Sequence, residues 1–364
     1  MADRPKNSAA VTAGWIDAVL RGNGIVSEAK VTGVEARNLG EGVGIMAEVA
    51  RLSLVYDRPN GGPASVIAKF PATDPVNLGV ARALHLYPRE VAFYARLAGH
   101  SPIRTPRLLH ADLDSADHGF VLLLEDLREA TVGDQLTGLD RAQAEAAITA
   151  LARLHGTWWG KVDAGEMTAL FDFADPQYGM AVQAGYQGFL ASALTGFADC
   201  YSDYTRRTAE AMAPVAARVI ARMASGVRTF VHGDYRADNL LFGPDLGEDG
   251  VAAIDWQVSG RCGPLYDVAY LLCNSLPADR RPEAEQALLR RYHDTLLRMG
   301  VTGFSFEDCR EAYRFAVLCG LFIAVFATGG MGTGNRRGAE MVRAAVRRID
   351  RAVSDLEVAS LLPG

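Results

Sequence analysis

Cysteine is scarce and unpatterned in this sequence. The five present, Cys200, Cys262, Cys273, Cys309 and Cys319, show no C-x-x-C spacing, and an odd, scattered set opposes a full disulfide framework and points to a reduced, cytoplasmic setting. No signal-type apolar core follows Met1. The longest apolar run, Phe315 to Ala327, is broken by Cys319-Gly320 and is too short to span a bilayer, so a buried helix is expected there and no membrane partner. Basic charge is not in excess either: a formal net charge of -6 lacks the electrostatic footprint of a nucleic-acid binder. Internal repeats and low-complexity blocks are missing as well.

What remains is ordinary in composition and ordered in pattern. The 364 residues, 49% hydrophobic and 22% charged, suffice for two lobes or two small domains. Val11, Trp15, Val19 and Leu20 recur at helical spacing and stop at Gly22-Asn23-Gly24. Short β-rich runs follow, Val31 to Ala36, Ile45 to Tyr56 and Ala64 to Phe70, which predict three antiparallel strands. Between the first two lies Leu39-Gly40-Glu41-Gly42-Val43-Gly44, either a glycine-rich hairpin turn or a loop whose backbone N–H groups can approach a phosphate. Lys69 is the single cation of its apolar run, either a phosphate partner or an edge-strand lysine facing water. The stretch Pro88 to Leu97 reads as a helix begun by proline, with Glu90 in its first turn, where the carboxylate either holds Lys69 or complements the helix dipole. The apolar strand Phe120 to Leu124 then runs into Glu125-Asp126-Leu127, and a lobe boundary is expected near Asp126 to Arg128.

Further on, a long helix from about Asp140 carries Ala144, Ala147, Ile148, Leu151, Leu154, His155 and Trp158 on one stripe, which makes His155 a core histidine. Leu288, Leu289, Tyr292 and Leu296 continue a helical lobe, and Arg343, Arg347, Arg348 and Arg351 are expected to form a solvated face of the last helix. The segment Gly329 to Asn335 lacks a following Lys-Ser/Thr and a preceding strand, so it reads as a mobile inter-helix loop and not as a phosphate loop.

The densest polar cluster is Val231-His232-Gly233-Asp234-Tyr235-Arg236-Ala237-Asp238-Asn239-Leu240-Leu241-Phe242, followed after a glycine-rich turn by Val251-Ala252-Ala253-Ile254-Asp255-Trp256-Gln257. This order predicts a loop and hairpin that present acidic side chains at strand ends. That layout suits metal-dependent phosphoryl transfer. The pattern H-G-D-x-x-x-x-N followed by I-D-W resembles the aminoglycoside phosphotransferase and choline kinase superfamily. It is most similar to the ecdysteroid-kinase-like branch, through Asp255-Trp256-Gln257, Gly263-Pro264-Leu265-Tyr266-Asp267 and the R-E-x-x-F-Y run at Arg89 to Tyr94.

The resemblance covers Leu39 to Leu272 and implies an α+β, protein-kinase-like two-lobe fold. Residues 1–127 would form a small nucleotide-binding lobe around an antiparallel sheet, and 128–364 a larger, mainly helical catalytic and substrate-binding lobe. The implied reaction is transfer of the γ-phosphoryl group of ATP, with Mg²⁺, to a hydroxyl of a small molecule. Asp234 would accept the acceptor proton, and Asn239 and Asp255 would hold Mg²⁺. Lys69, oriented by Glu90, would bind phosphates beneath Gly40, Gly42 and Gly44, while the backbone at Glu125, Asp126 and Leu127 would meet the adenine. Asp267 would brace the catalytic loop, and His232 would shape it. The aromatic and acidic stretch Trp158 to Thr205 would supply much of the acceptor pocket, leaving ring-containing and amino acceptors both open. No D-F-G-type glycine follows Asp255, which argues against a protein substrate. A nucleotide-binding pseudokinase is the alternative, and a metal hydrolase is disfavoured because no second histidine lies near Asp234 and His232.

Overall fold

The computed structural model describes residues 4–39, 46–59, 61–114, 119–329 and 336–364. The chain folds as two compact units, Met1–His100 with Thr105–Glu129, and Ser101–Arg104 with Ala130–Gly364.

In the first unit, α1 (Ala13–Gly22) starts where the Thr12 side chain accepts the Trp15 N–H. The strands β1 (Val31–Asn38), β2 (Ala47–Tyr56) and β3 (Ser65–Pro71) follow, then the short helices α2 (Pro75–Ala83) and α3 (Leu86–Ala92), and finally β4 (Leu108–Leu113) and β5 (Phe120–Glu125). The five strands form one antiparallel sheet in the order β1-β2-β3-β5-β4. Alternation along β3 sends Val66, Ala68 and Phe70 into a core with Trp15, Ile16 and Leu20 of α1. Fully burying a Val, Leu, Ile or Phe side chain here stabilises the unit by about 1.5–3 kcal/mol. Lys69 points to the other face.

Two expectations change here. Lys69 sits on the central strand, paired with Val49 and Leu122, and is 6% exposed, so it is no edge lysine. Helix α3 begins at Leu86, two residues before Pro88, which puts Glu90 beyond the first turn and removes the dipole explanation. A π-helical turn, Phe93–Leu97, continues α3.

The second unit opens with β6 (Thr131–Val132) and α4 (Arg141–Trp158), which begins in a capping box of Asp140 and Gln143. Then come α5 (Pro176–Gly196), α6 (Asp203–Met212), α7 (Ala216–Met223), β7 (Thr229–Val231), β8 (Leu240–Phe242), β9 (Val251–Ala253) and β10 (Gly260–Cys262). Helices α8 (Leu265–Ser275), α9 (Arg281–Arg298), α10 (Phe306–Gly329) and α11 (Arg336–Asp355) complete it. Small sheets β6-β8-β9 and β10-β7 are set among these helices.

Helix α10 is longer than its apolar run and passes the length and composition test for a bilayer span. It is nevertheless the unit's central packing element, in contact with α5, α8 and α11, and 56% of its most apolar window is buried. Core packing therefore accounts for its apolarity. The glycine-rich segment after Gly329 lies outside the described residues.

Candidate active site

Strand β7 delivers the chain to His232, which is fully buried. Its Nδ1 accepts the Asp234 backbone N–H at 3.2 Å, and Nε2 donates to the Ile254 carbonyl at 2.9 Å. One nitrogen accepting and one donating requires the neutral ring. Desolvation lowers its pKa, and the Asp267, Asp234 and Asp255 carboxylates oppose that only in part. Gly233 follows at φ +86°, and a Cβ there would run into the Val258 carbonyl oxygen, so glycine is required. The two amides of this turn are held by Asp267 of α8, whose carboxylate accepts from His232 N–H at 2.6 Å and Gly233 N–H at 2.9 Å. Behind Asp267 lies His155, with Nε2 at 3.3 Å from Oδ2 and Nδ1 at 2.8 Å from the Tyr292 hydroxyl.

Asp234 is fixed from two sides. Asn239 Nδ2 donates at 2.8 Å both to its Oδ2 and to its carbonyl, while Arg236 Nε donates to Oδ1 at 3.1 Å. Arg236 also donates from Nη1 to Asp238 at 3.0 Å. Desolvation opposes the guanidinium charge, yet Asp234 foremost among its carboxylate neighbours holds its pKa above the ordinary value. Burial, then the neighbouring Asp234 charge, push the Tyr270 phenol upward.

Because Asn239 spends its amide N–H groups on Asp234, its oxygen is the atom left to meet a cation. The hairpin register brings the other ligand candidate to the same end: Leu240 pairs with Ala253, and the Ile254 N–H donates to the Asn239 carbonyl at 3.0 Å, one step before Asp255. Asp255 takes a left-handed backbone, φ 66°, which Asp tolerates better than most residues. Gln257 Nε2 stands 3.4 Å from Asp255 Oδ2, and the Gln257 amide oxygen is buried without a partner. An amide oxygen, a carboxylate and an unsatisfied acceptor suited to a cation-bound water fit Mg²⁺, a hard ion that keeps several waters. Among the described residues no group of three His, Cys, Asp or Glu side chains converges as a metal site.

In the first unit, Lys69 Nζ and Glu90 Oε1 are 2.7 Å apart, their side chains 7% and 0% exposed. Gly40, Gly42 and Gly44 lie outside the described residues. At the end of β5, Glu125 accepts the Arg107 N–H at 2.9 Å. Asp126 receives Arg51 Nε at 2.6 Å, Arg51 Nη2 at 3.0 Å and Ser65 Oγ at 2.6 Å. Its carboxylate therefore braces β2 and β3 where Leu127 continues the chain.

A family model described as ecdysteroid kinase-like matches residues 41–300, a span that includes every one of these residues except Gly40. The chain belongs to the ecdysteroid kinase-like family. Its fold is shared with solved structures of low identity. A Ralstonia eutropha JMP134 protein assigned provisionally as an aminoglycoside phosphotransferase aligns at TM-score 0.53 and 14% identity, covering 96% of this chain and 98% of that one. An amicoumacin kinase in complex with AMP-PNP and Ca²⁺ aligns at 0.51 and 13%, covering 91% and 92%. The choline kinase LicA of Streptococcus pneumoniae aligns at 0.50 and 16%, covering 94% and 98%. These likenesses establish the kinase-like two-lobe α+β fold. The mouse acyl-CoA dehydrogenase family member 10 is 50% identical over 42 residues, so the match spans 12% of this chain and only 4% of that protein.

Within the ecdysteroid kinase-like chain, the stretch Trp158 to Thr205 is spent largely on packing. Phe171, Phe173 and Tyr178 stack edge-on among themselves, Phe173 also packs on Tyr266, and Tyr186 stacks on Phe322. Three of its acids are in ion pairs: Asp163 and Asp172 with Arg228 and Arg261, and Asp199 with Arg343 and Arg347. Arg236 and Asp238 join the site without having been expected there, and their places inside H-G-D-x-x-x-x-N are the signal for them. Arg348, expected on the solvated face of the last helix, is instead buried, 6% exposed.

Proposed function

We propose that this protein transfers the γ-phosphoryl group of ATP, with Mg²⁺, to a hydroxyl of a small molecule. The observation that carries this reading is the convergence at one loop and hairpin end: Asn239 holds both the backbone and the side chain of Asp234, and the register brings Asp255 to the same end. Asp234 orients the acceptor hydroxyl and takes its proton late in the transfer. A bond forms between the acceptor oxygen and the γ-phosphorus, the bond from that phosphorus to the β-γ bridging oxygen breaks, and ADP leaves. Asp255 and the Asn239 amide oxygen would hold Mg²⁺, which would supply charge neutralisation on the phosphates. Lys69 binds the α- and β-phosphates, kept in place by its buried ion pair with Glu90. The belt of hydrogen bonds at Asp267 keeps the loop in one geometry, which matters because phosphoryl transfer is mainly positioning and electrostatics.

The acceptor is a small hydroxyl compound, a class supported by the choline and amicoumacin kinases that share the fold. The test is ADP production by purified protein over a panel of sterols, aminoglycosides, macrolides, choline-type amines and sugars, comparing wild type with Asp234→Asn and Asp255→Asn. Both variants are expected to lose nearly all acceptor-dependent turnover while remaining folded. Normal turnover in either overturns the assignment. Stabilisation by Mg-nucleotide with transfer to none of the panel would point instead to a nucleotide-binding module without activity.

A further inference from the structure

Helix α11 turns Arg343, Arg347 and Arg351 outward and Arg348 inward. The Arg348 guanidinium donates from Nη1 to the Gln135 and Asn274 carbonyls, both at 2.7 Å, and from Nη2 to the Leu136 carbonyl at 2.8 Å. Its buried charge is thus met by three backbone carbonyls, and Asn274 lies in the last turn of α8, where helix carbonyls carry partial negative charge. A buried cation is an expensive way to fill space. What it grips explains its presence.

The segment under Arg348 leads directly to the catalytic loop. The Gln135 N–H donates to Asp238 Oδ1 at 2.9 Å, Asp238 Oδ2 accepts Arg236 Nη1 at 3.0 Å, and Arg236 Nε reaches Asp234 Oδ1 at 3.1 Å. The segment has little slack. The Gly133 N–H donates to the Leu240 carbonyl at 2.9 Å, and a Cβ on Gly133 would collide with the Ala237 carbonyl oxygen. Gly138, at φ +77°, would place a Cβ 2.7 Å from the Ser275 carbonyl oxygen, and Ser275 Oγ in turn accepts the Ala237 N–H at 2.9 Å. We propose that Arg348 is a positioning residue for Asp234, acting through the backbone at Gln135 and Leu136, then Asp238 and Arg236. The proposal rests on the reading of Asp234 as the base that meets the acceptor hydroxyl.

The test compares Arg348→Met and Arg348→Lys with Arg347→Met, a change at an exposed ion pair on the same helix, and with Asp238→Asn. If Arg348 positions Asp234, Arg348→Met lowers kcat by about 10- to 100-fold with KM for nucleotide and acceptor unchanged, the scale on which small misplacements act. Arg348→Lys keeps the charge but replaces the planar fork by a point charge on a shorter side chain, and falls between. The loss is non-additive with Asp238→Asn, because both changes cut one chain of contacts. Hydrogen exchange adds a readout independent of turnover: amides of residues 233–239 exchange faster in Arg348→Met than in wild type, and are unchanged in Arg347→Met. Unchanged kcat in a folded Arg348→Met, strict additivity with Asp238→Asn, or faster exchange spread evenly over the whole second unit overturns the proposal. Should Arg348→Met fail to fold, Arg348→Lys carries the same comparisons. If wild type phosphorylates no acceptor, the function proposed for Asp234 fails, while the exchange comparison still decides whether Arg348 holds the loop.

Discussion

His232 connects protonation to stability through two hydrogen bonds that only the neutral ring can make together. Desolvation holds its pKa below the ordinary 6.5, so the unfolded chain takes up this proton more readily than the native fold. Its contribution is therefore complete above about pH 6.5 and is lost as pH falls below that value toward the native pKa. Urea unfolding from pH 8 down to pH 5 is expected to show declining stability in wild type and a shallower decline in His232→Gln. Equal slopes would remove His232 as a source of the pH dependence. At this scale the sequence singles out Asp234, Asn239 and Asp255 by spacing and Asp267 by the resemblance, and the structure bears out the bracing role of Asp267. The sequence was silent where a role depends on orientation. Arg348 and Arg347 are neighbours in the chain, and only the rotation of α11 sends one into the protein and the other to solvent. His155 was legible as a core residue from its stripe, but its partners, Tyr292 and Asp267, come from distant helices.

Among the elements, α8 is the clearest case of a helix that serves the loop beside it. Asp267 in its first turn satisfies two buried amides at the bend where Gly233 must be left-handed, and Ser275 in its last turn takes the Ala237 N–H. Asp267→Ala would leave the His232 and Gly233 N–H groups buried without an acceptor. Unsatisfied buried donors cost about 1–3 kcal/mol each, so a loss of roughly 2–6 kcal/mol in urea unfolding is expected, together with loss of turnover. A change below about 1 kcal/mol would show that water replaces the carboxylate. The regular strands were readable from alternation and turn residues, and β1 to β3 lie close to the expected runs. Helix α3 was harder: Pro88 resembled a helix start, but the helix opens two residues earlier, after a left-handed His85, and packs Leu86 and Tyr87 inward. Tertiary burial of Tyr87 against Phe120 overrode the local signal.

For the whole molecule, the proposed ligands divide between the two units, Lys69 and Glu90 in the first and Asn239 and Asp255 in the second. A ligand bound only by the native state stabilises it by about 2.7 kcal/mol at a hundredfold excess over Kd, whatever the rate of transfer. For a chain of this size that corresponds to a Tm rise of roughly 3–4 °C. The three roles assigned to the site predict three different responses, each read against the variant's own nucleotide-free Tm. Asp234→Asn should keep the full rise with a non-hydrolysable ATP analogue and Mg²⁺, since Asp234 meets the acceptor and not the nucleotide. Asp255→Asn should lose the increment that Mg²⁺ adds over nucleotide alone. Lys69→Met should lose the nucleotide rise itself, from a lower starting Tm, because the buried Glu90 carboxylate loses its ion pair with Lys69. Repeating the last measurement in Lys69→Met with Glu90→Leu separates the two effects: removing the buried carboxylate together with its lysine should recover part of the starting Tm and none of the nucleotide response. A nucleotide rise that survives Lys69→Met would show that the buried Lys69–Glu90 pair only braces β3 against α3. A rise abolished in Asp234→Asn would move Asp234 from the acceptor to the nucleotide.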